Sequence, residues 1–201
     1  MKYKALTIAR EYGSGGGEIA SIVASNLGWR LVDKVLLAEI GRRERLPVGD
    51  PAAIDERVDP WLHRTAHPLR EKGAAFAPVG PFDADAAAAL AKQAVQEAYS
   101  AGNCVIVGRG SQCFLQAKPD VFHAFVYARW WDRVHRVRTK VPRGADMNRL
   151  LHTMDGERLA YVFRYYGENR LDTHLYDLMI NSHNQSEAAA RLILLAMDAV
   201  A

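Results

Sequence analysis

Five residues near the N-terminus, Gly13-Ser14-Gly15-Gly16-Gly17, carry almost no side chain and stand between a short apolar run and an amphipathic one. Residues of this kind do chemistry with their backbone. Their φ angles can turn positive, their amides can converge, and an anion can approach closely. A helix starting from the loop adds the positive end of its dipole, so the string predicts a phosphate site. Three readings fit it. As a phosphate loop of the G-x-x-x-x-G-K-[ST] type, it puts Arg10 at the first glycine, Gly16 at the lysine and Glu18 near the hydroxyl. In that register, a lysine at Gly16 is expected to raise triphosphate affinity. As a dinucleotide fingerprint, Gly15 to Ala20 satisfy G-x-G-x-x-[GA], and Asp33 stands near the usual acidic position. As a plain turn the loop binds nothing, and its entropy cost goes without an offset.

The charged residues around the loop can supply what it lacks. Arg10 is the nearest cation able to replace the missing lysine, or else it pairs with Glu11. Glu18, one turn into the next helix, is favoured there by about 0.3 to 1 kcal/mol through the dipole. It would repel a phosphate unless a metal stood between them, which makes it either a Mg²⁺ ligand or a simple helix-start carboxylate. Arg109 follows an apolar run, and its fork suits a substrate phosphate as well as it suits a carboxylate such as Asp33. Asp33 itself can accept from a substrate hydroxyl or cap a helix. Arg129, Arg133 and Arg136 recur at helical spacing in a basic stretch that ends at Arg149. Arg158 comes one turn after Asp155, which can orient it. His63 and His67 have i,i+4 spacing without a third ligand, so no metal site is expected there.

These residues need a scaffold, and the pattern of the chain supplies one. Leu6–Ala9 reads as a strand entering the glycine loop, followed by a helix with Ile19, Ile22, Val23 and Leu27 on one face and Gly28 closing it. Arg30–Val32 is a short strand ending at Asp33, which caps a helix carrying Val35 to Ile40. Six prolines between Leu46 and Phe82 predict a loop-rich excursion, either a surface loop or a mobile flap. Asp83 caps an alanine-rich helix with Leu90, Ala94, Val95 and Ala98 on one face. Cys104–Val107 and Val121–Tyr127 are strands, Arg129–Lys140 a basic helix, Leu175–Ile180 a last strand, and Ser186 caps the final helix. Alternation of this kind implies an α/β domain, a parallel sheet with helices on both faces, and ligands at the carboxyl ends of the strands.

Composition excludes several classes. The net charge of +3 is too small for general nucleic-acid binding, and Cys104 and Cys113 cannot form a disulfide framework. No apolar run is long enough to span a bilayer, and the N-terminus has no signal-peptide pattern. A soluble, cytoplasmic protein is expected.

The string Ile8-Ala9-Arg10-Glu11-Tyr12-Gly13-Ser14-Gly15-Gly16, continuing in Glu18-Ile19-Ala20, resembles the cytidylate kinase-like family of P-loop proteins. So do Val107-Gly108-Arg109-Gly110 and Tyr176-Asp177-Leu178-Met179-Ile180-Asn181-Ser182. The resemblance runs in order along nearly the whole chain. It implies one three-layer P-loop domain over 1–201, with 46–82 as flap or insertion and 129–165 as lid. It also implies ATP as donor, Mg²⁺, and CMP or a similar monophosphate as acceptor. Under it, Arg10, Arg133 and Arg158 are catalytic, and Gly13, Ser14, Gly15, Gly16, Gly17 and Arg136 hold ATP. Asp33 and Arg109 hold the substrate, and Glu18 the metal. Small nucleotides are the expected partners, not nucleic acid or membrane, with self-association open.

Two departures stand out. Family members often carry arginine after the glycines, where this chain has Gly17. The conventional kinases follow the substrate arginine with aspartate, where this chain has Gly110. A non-catalytic nucleotide-binding or regulatory protein and a dinucleotide-binding oxidoreductase are the competing readings.

Overall fold

The computed structural model describes residues 2–33 and 84–200. The expected helix after Asp33, the proline-rich stretch 46–82 with His63 and His67, and the Asp83 cap lie outside them.

Within those residues the sheet has five strands: β1 (Ala5–Arg10), β2 (Arg30–Val32), β3 (Cys104–Val107), β4 (Val121–Tyr127) and β5 (Leu178–Asn181). All pair in parallel, in the order β2-β3-β1-β4-β5. β1 is the centre, with Ala5 level with both Cys104 and Val121. This is not the 3-2-1-4-5 order of dinucleotide folds, so the oxidoreductase reading falls on topology. The helices are α1 (Gly16–Leu27), α2 (Ala84–Ala101), the short α3 (Ser111–Phe114), α4 (Trp130–Arg138), α5 (Met147–Tyr166) and α6 (Ser186–Ala199).

The period-two pattern of the central strands assigns the faces. Leu6 and Ile8 of β1, Val105 and Val107 of β3, and Phe122 and Val126 of β4 pack with Ile19 and Val23 of α1 and Ile193 and Met197 of α6. The alternate residues Ala5, Cys104, Ile106 and Val121 pack on the other side against Val95 and Ala98 of α2 and Leu115. Each large apolar side chain buried this way contributes about 1.5 to 3 kcal/mol. Both faces are covered, as a parallel sheet requires. A third cluster, Val134, Val137 and Leu151 with Tyr12 against them, joins α4 and α5 beneath the glycine loop.

Two expectations are corrected. The last strand begins at Leu178, not Leu175, because Asp172 accepts from the His174 amide and starts a 3-10 turn over Thr173–Leu175. Asp177 then bonds His123 through both its amide and its carboxylate, and the ladder starts one residue later. Ser186 does not cap the final helix. Gln185 holds that position without a side-chain cap bond, and Ser186 is the first helical residue, accepting from Arg136 at 3.4 Å. No helix among the described residues is long and apolar enough to cross a membrane.

Candidate functional site

The glycine loop leaves the carboxyl end of β1 and enters α1 through Gly15, whose φ is +83°. The first intrahelical bond runs from Ile19 N to Gly15 O, so the amides of Gly16, Gly17 and Glu18 lie outside the helical ladder. The positive end of the dipole lies there as well. The loop is braced from below. The Ser14 hydroxyl donates to Glu11 O at 2.9 Å, and Ser182 donates to Ser14 O at 2.7 Å. Ser14 is fully buried and its amide bonds back to Glu11 O at 3.4 Å, so the residue shapes the loop from within.

Arginine side chains bracket the loop from two sides. Arg136 of α4 lies over it, with Cζ 2.7 Å from where a Cβ on Gly15 would be. Its Nη1 pairs with Glu18 at 2.6 Å. Arg10 turns the other way. Its Cβ stands 2.6 Å from where a Cβ on Gly16 would be, and its guanidinium lies against Gly108 after β3. A side chain at Gly16 therefore collides with Arg10, which stands against a lysine at that position. A Cβ on Gly17 would meet nothing within 4 Å.

On the far side of Arg10 a cleft opens to solvent at the carboxyl ends of β1 and β3. Arg10, Arg109, Arg158 and Arg170 line it, together with Gln112 and Tyr161. No carboxylate is among its described lining residues. Four guanidinium groups on one wall suit a dianion such as a phosphate monoester. Arg109 sits in a tight turn at φ +61°, flanked by Gly108 at +70° and Gly110 at +65°. A Cβ on Gly110 would overlap the ring of Tyr166, whose hydroxyl donates to Arg109 O at 3.1 Å. The ring fills the space that the aspartate of the conventional kinases would need.

A charge network ties loop and cleft together. Asp155 of α5 accepts from Tyr12 N at 2.8 Å and from Arg133 Nη2. It lies 4.0 Å from Arg158 and 3.8 Å from Arg170. Arg133 also donates from Nε to Tyr12 O at 2.7 Å and pairs with Glu11 at 3.4 Å, while Glu11 accepts from the Ala128 amide. Burial pushes the pKa of Arg170 down, and Asp155 is the leading charge that opposes this.

The structure thus gathers Arg10, Arg109 and Arg158 around one cleft, and Gly13 to Gly17, Glu18 and Arg136 around one loop. Arg133, buried and committed to Tyr12, Asp155 and Glu11, braces the loop from beneath. Asp33 stands at the end of the edge strand β2 and is not among the residues lining the cleft. Arg170 and Gln112 went unnoticed in the sequence. Arg170 sits in the polar stretch Gly167-Glu168-Asn169-Arg170, with no periodicity to mark it, and only the fold buries it against Phe125 at 5.4 Å. Gln112 follows the Gly108-Arg109-Gly110 turn, and that proximity was its one available signal.

The sequence model described as the cytidylate kinase-like family matches residues 5–184. A search of curated proteins finds no match. Among solved structures, an uncharacterized protein from Eubacterium ventriosum superposes with a TM-score of 0.68 at 20% identity, over 96% of this chain and 98% of that one. Shikimate kinase from Acinetobacter baumannii, solved in complex with shikimate, gives 0.55 at 12%, over 98% of this chain and 94% of its own. A gluconokinase from Sinorhizobium meliloti gives 0.51 at 12%, over 98% and 95%. At such identities the likeness is one of fold, and the fold is that of the P-loop kinases.

Proposed function

The chain belongs to the cytidylate kinase-like family, and on that premise we propose that it transfers the γ-phosphoryl group of ATP to the phosphate of CMP or a similar nucleoside monophosphate. One observation carries the reading: the glycine loop and the arginine cleft adjoin across a single residue. Arg10 touches the glycine loop with its Cβ and the arginine cleft with its guanidinium. In-line transfer needs donor and acceptor phosphates held this close, with their charge neutralised.

In this reading the amides at the start of α1 cradle the donor phosphates, and Arg136 supplies the cation that the loop lacks. Arg109, Arg158 and Arg170 hold the acceptor phosphate, and Arg10 lies between the two groups. Arg133 is a positioning residue. Mg²⁺ fits at Glu18, whose side chain is 54% exposed beside the loop. The ion would neutralise charge on the transferring phosphoryl group, with water and phosphate oxygens completing its shell. Glu18 is also the partner of Arg136, so metal and guanidinium share one carboxylate.

The test is a Mg²⁺-dependent transfer assay with γ-labelled ATP over CMP, dCMP, UMP, AMP, shikimate and gluconate, alongside calorimetric titration of ATP, CMP and NAD. Label on a pyrimidine monophosphate is the expected result. Binding of ATP and CMP without turnover would make the protein a non-catalytic nucleotide binder. Label on shikimate or gluconate instead would overturn the acceptor assignment.

A further inference from the structure

Gln112 is 2% exposed on α3 and forms part of the cleft wall. Its amide orientation follows from its neighbour. The Tyr176 hydroxyl gives its only proton to Arg170 O at 2.7 Å, so any contact that Gln112 makes with it uses the Nε2 donor. The other end of the amide, Oε1, is buried without a hydrogen-bond partner among the described residues. On the same wall, the Tyr161 hydroxyl is also buried and without one. A buried polar atom left unsatisfied costs about 1–3 kcal/mol, and two lining one cleft mark a place that a ligand completes.

The remaining polar groups of the wall are four guanidiniums, which only donate. They suit the anionic end of a ligand and cannot receive a proton from it. Gln112 Oε1 only accepts, whereas the Tyr161 hydroxyl can both donate and accept. The cleft therefore fits a molecule that carries both a phosphate and a hydrogen-bond donor.

Resting on the phosphotransferase reading above, we propose that Gln112 is the specificity-determining residue of the acceptor site, taking a hydrogen bond at Oε1 from an amino group on the acceptor's base. Cytosine brings its exocyclic amine to that oxygen. Uracil brings a carbonyl, and two acceptors then face each other in a buried place, which rejects the wrong base as firmly as the bond selects the right one.

Calorimetric binding of CMP, UMP and CMP dimethylated on its exocyclic nitrogen tests this, first with the unaltered protein. CMP is expected to bind about 10- to 100-fold more tightly than either of the others. Gln112→Met, similar in volume and without the acceptor, is expected to bring CMP and UMP within about 3-fold by weakening CMP. Gln112→Glu keeps acceptor oxygens and is expected to keep the order CMP over UMP. Equal binding of CMP and UMP by the unaltered protein would overturn the proposal. So would a parallel loss of both in Gln112→Met, the mark of a merely structural residue. If Gln112→Met does not fold, the three-ligand comparison on the unaltered protein decides. Binding of no monophosphate at all would remove the phosphotransferase reading, and this proposal with it.

Discussion

Gly110 and Gly16 show how single positions decide what the site can contain. Gly110 combines a φ of +65° with an aromatic ring where its Cβ would be, so two independent constraints keep it small. Gly110→Asp, which restores the aspartate of the conventional kinases, is expected to lower stability by about 1–3 kcal/mol. Urea unfolding measures this, and CMP affinity should fall rather than rise. At Gly16 the obstacle is Arg10 Cβ, an atom too near the backbone to swing aside. Gly16→Lys is expected to lower both the melting temperature and ATP affinity. Gly17→Lys, directed into open space, should fold normally and bind ATP more tightly by calorimetry. The reverse order would mean that the loop meets the triphosphate in the register first read from the sequence.

The elements themselves were largely legible. β4 is legible at Val121–Tyr127 because a run of seven residues, apolar or aromatic but for His123, follows Asp120 and suits a strand covered on both faces. Gly28 was read as a helix stop because its left-handed turn follows from the glycine. The end of the chain was less legible: Asp172 and Asp177 trade side-chain for backbone bonds over a few residues, and no periodicity reports such local competition. In the candidate site the loop and Arg109 could be read because glycines and strand ends announce themselves. Arg170 and Gln112 could not, since burial by distant elements gives them their meaning. The β1–β4 pairing also hides a titrating group. His123 bonds Thr7 at 2.7 Å, and burial holds its pKa below the usual 6.5, partly opposed by Asp177. Below about pH 6.5 the unfolded chain binds a proton that the folded one refuses, so stability falls on acidification until the folded pKa is reached. The urea midpoint is expected to drop between pH 7 and pH 5.5, and His123→Gln should flatten that part of the slope.

At the scale of the whole molecule, Asp155 joins what the sheet holds apart. It bonds the backbone of the loop at Tyr12, Arg133 of α4, and faces two arginines of the cleft. Asp155→Asn leaves those guanidiniums short of charge. It is expected to cost about 1–3 kcal/mol, less than a fully buried pair because 24% of the side chain is exposed. If the bridge serves both sites, calorimetry should find ATP and CMP affinities reduced together; loss of one alone would confine the bridge to that side. The strand order carries a consequence for the chain as it is made. β1 precedes the other described strands, yet its neighbours are β3 and β4, so Ala5 waits for its pairing until Cys104 and Val121 have been synthesised. The glycine loop hangs from β1, and its brace, Ser182, comes later still. On the ribosome, β1 emerges before either partner strand and stays an unpaired apolar segment, in need of protection, until they follow.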